Sequence, residues 1–247
     1  MVLKRVVIKL SGEAIGASNG DGVYNDAVID SIVKQIIQVL QAGTEVALVV
    51  GGGNIWRGLQ ARPDMDRVKA DQMGMLATIM NAVYLKEAFK RQGQKSRVVT
   101  PMAVGNITTV YDKDIAVDWM AKGIVIINAA GLGHPMFSTD TVTALRAAEM
   151  QADCVLYAKN IDGVYDSDPK KNPTARKFEF LNYNTAITEN LQAADLTALL
   201  MSKDASMPSY VFGLNEDNSI VDAAAYPNTK SQKGTYIHVD KEDKFYD

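Results

Sequence analysis

The sequence predicts an α/β fold built on a mainly parallel sheet. Short runs of apolar, β-branched residues alternate with stretches whose apolar residues recur at helical spacing, the pattern of consecutive βαβ units. Several of these runs lead directly into glycine-rich segments, as expected for tight loops after buried strands. With 47% hydrophobic and 22% charged residues, the 247-residue chain has the composition of a globular protein with a sizeable core.

The first half of the chain contains two strand–helix units. Residues 6–10 form the first predicted strand, and apolar residues between 28 and 40 recur at helical spacing until Gly43 ends the helix. Residues 46–50 form the second strand, which runs into a row of three glycines. A long helix is predicted from about residue 69 to residue 91, ended by another glycine.

The second half repeats this order. Residues 124–127 are a predicted strand, and after a glycine-containing loop Thr139 or Asp140 is expected to cap a helix that runs to Glu149. The next strand, residues 154–157, opens into a turn-rich loop whose Asp-Gly, Asp-Pro and Asn-Pro steps cannot continue a helix or a central strand. The remaining predicted elements are a helix near residues 193–204 and strands at 210–212 and 235–237.

Charge and composition exclude several classes of protein. With 26 basic and 29 acidic residues the net charge is −3, which argues against a protein that coats nucleic acid. No apolar stretch approaches the ~20 residues of a membrane helix, and the start is too charged for a signal peptide. Because Cys154 is the single cysteine, no internal disulfide can form, and we expect a cytoplasmic protein without a membrane. With two histidines, a zinc site has few ligands, so any metal should be bound by oxygen.

Three glycine-containing loops follow the carboxyl ends of predicted strands, where open α/β sheets bind ligands. They contain Ser11-Gly12, Gly51-Gly52-Gly53-Asn54 and residues 131–139. Glycine lets the backbone approach a phosphate closely, so together the loops predict an anion site, although any one of them could be only a tight turn. None matches the Walker A loop or the dinucleotide fingerprint.

Lys9 lies inside the apolar run of the first strand, directly before Leu10-Ser11-Gly12. A charge there costs several kcal/mol unless it is paired or faces an anion at the end of the strand. The alternative is an edge lysine whose ammonium reaches solvent.

The order and spacing of the longer motifs resemble those of bacterial uridylate (UMP) kinases of the amino-acid kinase superfamily, over nearly the whole chain. The resemblance rests on Lys9-Leu10-Ser11-Gly12-Glu13-Ala14, Gly51-Gly52-Gly53-Asn54-Ile55-Trp56-Arg57-Gly58, Met65-Asp66-Arg67, Asp71-Gln72-Met73-Gly74-Met75-Leu76, Ala130-Gly131-Leu132-Gly133-His134-Pro135-Met136-Phe137-Ser138-Thr139-Asp140-Thr141 and Asp162-Gly163-Val164-Tyr165-Asp166-Ser167-Asp168-Pro169-Lys170-Lys171-Asn172-Pro173.

The resemblance implies the amino-acid kinase fold, a three-layer α/β/α sandwich, formed by residues 1–247 as a single domain. Roughly residues 1–150 would be the acceptor and oligomer half, and roughly 151–240 the ATP-binding half. It further implies transfer of the γ-phosphoryl group of ATP to UMP in pyrimidine nucleotide biosynthesis, with Mg²⁺ carried by ATP and not by protein ligands. A homohexamer is expected.

By the same resemblance, two sets of residues bind the nucleotides. The ATP-binding set is Lys9, Leu10, Ser11, Gly12, Gly53, Arg57, Lys159, Asn160, Tyr165 and Asp168. The UMP-binding set is Gly52, Asp71, Leu132, Gly133, His134, Pro135, Met136, Phe137, Ser138 and Thr139. Either Lys159 or Asn160 is expected to reach the phosphates.

Four residues are assigned to catalysis. Lys9, Arg57 and Lys159 are expected to neutralise charge that develops between two anions, while Asp140 orients the lysines. Asp140 also has a plain interpretation as a helix N-cap, and Asp71 as a partner of a helix dipole.

Other charged and sulfur-containing residues of these helices carry no chemistry in this interpretation. Arg67 and Arg146 are expected to be helix-surface charges, and Met73, Met75 and Met80 to pack in the core or at a subunit interface.

Leu132 and His134 depart from the family pattern by replacing a hydroxyl and an amide. These two residues motivate one alternative to UMP kinase, an enzyme of the same fold with another acceptor. A second alternative, independent of them, is a nucleotide-binding storage or regulatory protein on the same fold without turnover.

Overall fold

The sheet contains ten strands in the part of the chain that the structure describes. This computed structural model describes residues 3–17, 22–57, 62–214, 217–225 and 233–246. The strands are β1 (Arg5–Leu10), β2 (Glu45–Val50), β3 (Ser96–Thr100), β4 (Thr109–Val110), β5 (Val125–Asn128), β6 (Cys154–Lys159), β7 (Phe178–Asn182), β8 (Ser209–Gly213), β9 (Thr235–His238) and β10 (Lys244–Phe245). Their order is β10-β7-β9-β8-β6-β1-β2-β5-β3-β4.

The sheet is mainly parallel, as the sequence predicts. Among the described residues, the β7–β10 and β8–β9 pairings are antiparallel, and the other seven are parallel. The helices found in the same residues are α1 (Gly12–Ile15), α2 (Asp26–Gln41), α3 (Arg67–Arg91), α4 (Lys113–Ala121), α5 (Thr139–Glu149), α6 (Tyr183–Thr188), α7 (Leu196–Asp204) and α8 (Ser219–Ala224).

Helices cover both faces of the sheet. Because side chains alternate along a strand, Val6, Ile8 and Leu10 of β1 pack in one buried cluster with α2, α3 and α8. Val7 packs in a second cluster on the opposite face, together with residues of α4, α5, α6 and α7. This arrangement is a three-layer α/β/α sandwich, so the predicted fold class is confirmed.

The predicted strands and long helices are present, with ends shifted by a few residues. Asn25 caps α2 by accepting a hydrogen bond from Val28 N, and Gly43 follows that helix with a φ of +93°, which L side chains rarely adopt. Eight of the described elements are not predicted from the sequence: β3, β4, β7, β10, α1, α4, α6 and α8. β4 and β10 are two-residue edge strands, which are too short to show a period.

The methionines of α3 have different environments. Met75 is partly buried against the core, as one of the two interpretations predicts. Met73 and Met80 are 40% and 54% exposed, and Leu76 between them is 59% exposed. Core packing is therefore wrong for Met73 and Met80, and a subunit contact stays a prediction for them.

Candidate active site

The candidate site lies at the carboxyl ends of β1, β2, β5 and β6. β1 lies between β6 and β2, and the chain continues from β1 towards β2 but from β6 towards β8 on the other side. Such a switch in strand order leaves a crevice outside the carboxyl ends of the two central strands. The three glycine-containing loops begin at this edge of the sheet.

Lys9 points from β1 to the face of the sheet that carries α5. It shares that face with Val7, two residues earlier, because side chains alternate along a strand. Its Nζ lies 3.0 Å from Oδ1 of Asp140 in the first turn of α5. The side chains of Lys9 and Asp140 are 13% and 16% exposed, so Lys9 is not an edge lysine that reaches solvent.

Lys159 ends β6, beside Lys9. The register pairs Lys9 with Tyr157, two residues before Lys159, so both lysines project to the same face. Lys159 Nζ donates a hydrogen bond to the carbonyl of Gln192 at 3.0 Å. Burial lowers the pKa of the Lys159 ammonium; Lys9 lowers it too, and Asp140 and Asp195 oppose the shift. The two lysines and Asp140 thus form one charged cluster.

The first cavity has a volume of about 630 Å³ and lies between α3, the β2 loop and the loop before α5. Its walls hold nine of the residues predicted to bind a nucleotide, including backbone groups of the glycine row. They are Gly52, Gly53, Arg57, Asp71, His134, Pro135, Phe137, Ser138 and Thr139. The cavity is also lined by residues that are not predicted as site residues, among them Glu13, Trp56, Gly74, Met75 and Thr78.

The second cavity has a volume of about 780 Å³ and contains the lysine cluster. Of the residues predicted to bind ATP, Lys9, Ser11, Lys159, Asn160, Tyr165 and Asp168 line it. A further space of about 510 Å³ adjoins it and shares Tyr165 and Asp168. Lys159 and Asn160 both face this cavity, so both assignments stay open. Glu13 lines the first cavity as well as the second, which places its carboxylate where the two meet.

Six predicted site residues line none of these spaces. One is Asp140, which is assigned to orienting the lysines and pairs with Lys9. Leu10 is fully buried in the core, and its carbonyl accepts a hydrogen bond from Gly51 N at 2.8 Å. Leu132 packs against the second apolar cluster, and Met136 is 65% exposed. Gly12 and Gly133 lie against neighbouring loops. Their roles as ligand contacts stay predictions.

Close packing of two loops explains Gly12. A Cβ added to Gly12 would lie 2.5 Å from both Asn54 Oδ1 and the backbone nitrogen of Gly53. Asn81 of α3 fixes the loop after β2, because its Nδ2 donates hydrogen bonds to the carbonyl of Gly51 and to Asn54 Oδ1, both at 2.7 Å. The loops after β1 and β2 therefore pack tightly against each other and form one unit beside the cavities.

The loop before α5 is held by two carboxylates. Asp71 Oδ2 accepts a hydrogen bond from Met136 N at 2.9 Å, and Arg67 pairs with the same carboxylate. At the end of the loop, Ser138 Oγ accepts from Asp140 N at 3.0 Å, and Asp195 accepts from both Ser138 Oγ and Thr141 N. The helix amides of Asp140 and Thr141 are thus already paired within the protein.

These contacts correct one expectation and reveal a residue that was not predicted. The N-cap of α5 is Ser138, not Thr139 or Asp140, because a serine hydroxyl reaches the next turn while Asp140 faces Lys9. Asp195 is missed by the sequence analysis, although an Asp directly before the apolar residues of α7 is an N-cap signal; it accepts from Ala198 N at 2.9 Å.

Comparison with known proteins places the chain in a family. A sequence model of the amino acid kinase family matches residues 4–213. The chain belongs to the amino acid kinase family. A UMP kinase from Bacillus anthracis is similar over 99% of both chains, with 34% identity and a TM-score of 0.93. A UMP kinase from Ureaplasma parvum is 36% identical, with a TM-score of 0.88 over 96% of this chain and 100% of its own.

A uridylate kinase from Archaeoglobus fulgidus is more distant. It is 26% identical, covers 94% of this chain and 99% of its own, and superposes with a TM-score of 0.70. The amino acid kinase fold is thus shared over nearly the full length of all three chains.

The loop after β6 contributes the far wall of the second cavity in this amino acid kinase. Burial and the 2.8 Å hydrogen bond that Tyr165 donates to Asp162 together raise the pKa of the Tyr165 hydroxyl to about 12. Burial alone would raise the pKa of Asp162, but hydrogen bonds from Lys177 and Tyr165 outweigh it and hold that pKa low. The Lys177 ammonium lies 2.8 Å from Asp162 Oδ2 and fixes the loop.

The two arginines expected on helix surfaces have different roles. Arg67 is half exposed and pairs with Asp71 at 2.9 Å. Arg146 is 6% exposed, and its guanidinium lies 3.7 Å from the centre of the Tyr111 ring, with Glu149 as its ion partner. The surface assignment is wrong for Arg146, because a residue from outside α5 covers it.

Within the described residues, none of the helices combines the length and the hydropathy that a membrane-spanning helix requires. Nor do three or more His, Cys, Asp or Glu side chains come close enough in that part of the chain to hold one metal ion.

Proposed function

We propose that this chain is a UMP kinase, which transfers the γ-phosphoryl group of ATP to the phosphate of UMP. A phosphate oxygen of UMP attacks the γ-phosphorus, the bond to the β–γ bridging oxygen breaks, and UDP and ADP form. The main support is the meeting of two nucleotide-sized cavities beside the Lys9–Asp140–Lys159 cluster. Similarity to UMP kinases over almost the whole chain supports UMP as the acceptor.

In this proposal the second cavity holds ATP and the first holds UMP. Lys9 and Lys159 lie in the second cavity. Gly53 and Arg57, which the resemblance assigns to ATP, line the first cavity instead, so the proposal places them beside UMP. Two nucleotide phosphates repel each other, so cations placed on both sides stabilise the charge of the transferring group. Asp140 keeps the Lys9 ammonium in position, and the burial of these two side chains strengthens their interaction.

Recognition of UMP is assigned to Asp71 and the loop before α5. The carboxylate of Asp71 lines the first cavity and also holds the backbone of Met136, so it is placed both to accept from a sugar hydroxyl and to fix the loop. His134 and Phe137 line the same cavity. The imidazole and the ring supply a polar edge and an apolar face for a pyrimidine.

Mg²⁺ is proposed to enter with ATP. The carboxylates at the cluster and between the cavities already have partners, since Asp140 pairs with Lys9, Glu13 pairs with Arg57, and Asp195 accepts hydrogen bonds from Ser138 and Thr141. Mg²⁺ prefers phosphate oxygens and water and needs few protein carboxylates, so these residues fit an ion that the nucleotide carries. Bound Mg²⁺ would supply charge neutralisation to the phosphates.

Assembly and cellular place are further parts of the proposal. Met73, Leu76 and Met80 form an exposed apolar stripe on α3, which supports a homo-oligomer and is compatible with a hexamer. Cys154 is buried, which fits the reducing cytoplasm. Formation of UDP from UMP would place the enzyme in pyrimidine nucleotide biosynthesis.

The test is an ADP-release assay with purified protein, ATP and Mg²⁺. UMP is expected to support turnover more strongly than CMP or dUMP, with UDP formed in equal amount to ADP. A preference for another acceptor would support the alternative of a different substrate. ATP binding without ADP release for any acceptor would support a storage or regulatory protein and contradict the proposal.

A further inference from the structure

Glu13 is a carboxylate at the meeting point of the two cavities. It lies in the first turn of α1 and lines both spaces. Its Oε1 is 2.6 Å from Nη2 of Arg57, and Arg57 Nε donates to the carbonyl of Gly53 at 3.2 Å. The two side chains are 46% and 44% exposed, so the pair lies open to whatever enters the first cavity.

A carboxylate at the position of Glu13 is unfavourable for the proposed reaction as long as its ion pair with Arg57 stays as it is in the empty site. A carboxylate between two sets of phosphates is repelled by both. The pair with Arg57 is also weak, because half-exposed ion pairs are screened by water. A phosphate offers a guanidinium two charge-assisted hydrogen bonds and more negative charge than one carboxylate, so it competes well for Arg57.

The Lys9–Asp140 pair is different. Its side chains are 13% and 16% exposed, against 44% and 46% for Arg57 and Glu13. A largely buried pair is costly to separate, so we expect Lys9 and Asp140 to stay together when nucleotides bind. The Arg57–Glu13 pair is the exchangeable one.

We propose that Glu13 is a positioning residue that holds Arg57 beside the first cavity and releases it to the acceptor phosphate. The inference rests on the proposed function, since it requires an acceptor that carries a phosphate. Because Glu13 competes for Arg57 in the empty site and repels phosphate in the filled one, it weakens binding of both UMP and UDP. It thereby speeds the release of product.

The first test compares Glu13→Gln with the wild-type protein by calorimetric titration of UMP and UDP. The substitution keeps the shape but removes the charge, so both dissociation constants should fall by about 5-fold or more. In turnover assays KM for UMP should fall, while kcat stays the same or falls. Weaker binding of UMP by Glu13→Gln would overturn the inference, because Glu13 would then help to hold phosphate.

A double-mutant cycle isolates the exchange. In Arg57→Gln protein, Glu13 can still repel phosphate but no longer competes for the guanidinium. Removing Glu13 should therefore tighten UMP binding less in the Arg57→Gln background than in the wild-type background. If removing Glu13 tightened UMP binding equally in the two backgrounds, Glu13 would act only by repelling phosphate. That result would contradict the proposed release of Arg57.

A third measurement needs no variant. In a crystal structure of the wild-type protein with UMP, Arg57 is expected on the phosphate, with more than about 4 Å between its guanidinium and the Glu13 carboxylate, the usual limit of an ion pair. Retention of the 2.6 Å contact in that complex would contradict the inference. Failure of the wild-type protein to bind UMP would instead count against the proposed function.

Discussion

Lys9 Nζ lies 3.0 Å from Asp140 Oδ1, and this ion pair joins the first strand to the first turn of α5 at the edge of the candidate site. The strand directs the lysine to the α5 face, and the Ser138 cap starts the helix so that Asp140 meets it. The pair therefore depends on the position of the helix as much as on the two residues.

Lys9→Met should reduce turnover by about 10²-fold or more, the scale for removing one charge-stabilising donor. Asp140 lies close enough to Lys159 for its charge to raise the pKa of that lysine. In Lys9→Met protein, Lys159 can therefore partly neutralise the Asp140 carboxylate, which limits the loss of stability. The measurements are kcat for ADP release and the urea midpoint. Lys4→Met, just before the same strand at its opposite end, is the control and should leave kcat unchanged. Unaltered turnover in Lys9→Met would remove Lys9 from the mechanism.

Asp195→Ala should lower the free energy of unfolding by about 1–3 kcal/mol, since it removes the N-cap of α7 and leaves donors of the α5 loop unpaired. KM for UMP should rise as well, because Ser138 of that loop lines the first cavity. Asp112→Ala is the matched control. The Asp112 side chain caps α4 by accepting a hydrogen bond from Ile115 N, and Asp112 lines neither cavity. This substitution should destabilise the protein without changing KM, and an equal KM in both variants would contradict the role of Asp195.

The sequence predicts the parts of the site that depend on local pattern. The apolar runs locate β1, β2, β5 and β6. The single charge of Lys9 within the apolar run of β1 predicts that this residue belongs to the site. The contacts of Asp195 with Ser138 and Thr141 join residues more than 50 positions apart, and no local pattern contains them. Arg146 is assigned wrongly for the same reason, since the ring that covers it comes from another part of the chain.

Whether each predicted residue touches a nucleotide depends on packing that sequence alone does not contain. Leu10 lies in one of the motifs that carry the family resemblance, yet the alternation of side chains along β1 turns its side chain into the core. Glu13, three residues later, is assigned no role by its motif, but it faces both cavities because α1 begins at Gly12.

Activity should fall on the alkaline side at a lower pH than an ordinary lysine would give. Burial lowers the pKa of Lys159, so in the folded protein its ammonium is lost as pH rises through this lowered value. The unfolded chain keeps its proton up to about pH 10.4, so between the two values the stability of the free protein should rise with pH while activity falls. Profiles of kcat/KM for ATP against pH measure the loss of activity.

Lys159→Arg is the control for this pH dependence. A guanidinium stays charged across the accessible range, so the variant should keep whatever activity it has to higher pH than the wild-type protein. An identical alkaline limb in both proteins would show that another group is responsible.

Gly12→Ala and Gly53→Ala should separate packing from ligand access. At Gly12 the new methyl group would lie 2.5 Å from the backbone nitrogen of Gly53, so the loops after β1 and β2 must move apart. Such overpacking typically costs about 1–3 kcal/mol, and it should lower the melting temperature and disturb both cavities. At Gly53 the nearest neighbour of an added methyl group is Glu13 Oε1 at 3.5 Å, an ordinary contact. Gly53→Ala should therefore keep the wild-type melting temperature, and any loss of activity would come from the methyl group at the wall of the first cavity. Equal melting temperatures for the two variants would show that the loops after β1 and β2 are not as tightly packed as the 2.5 Å approach indicates.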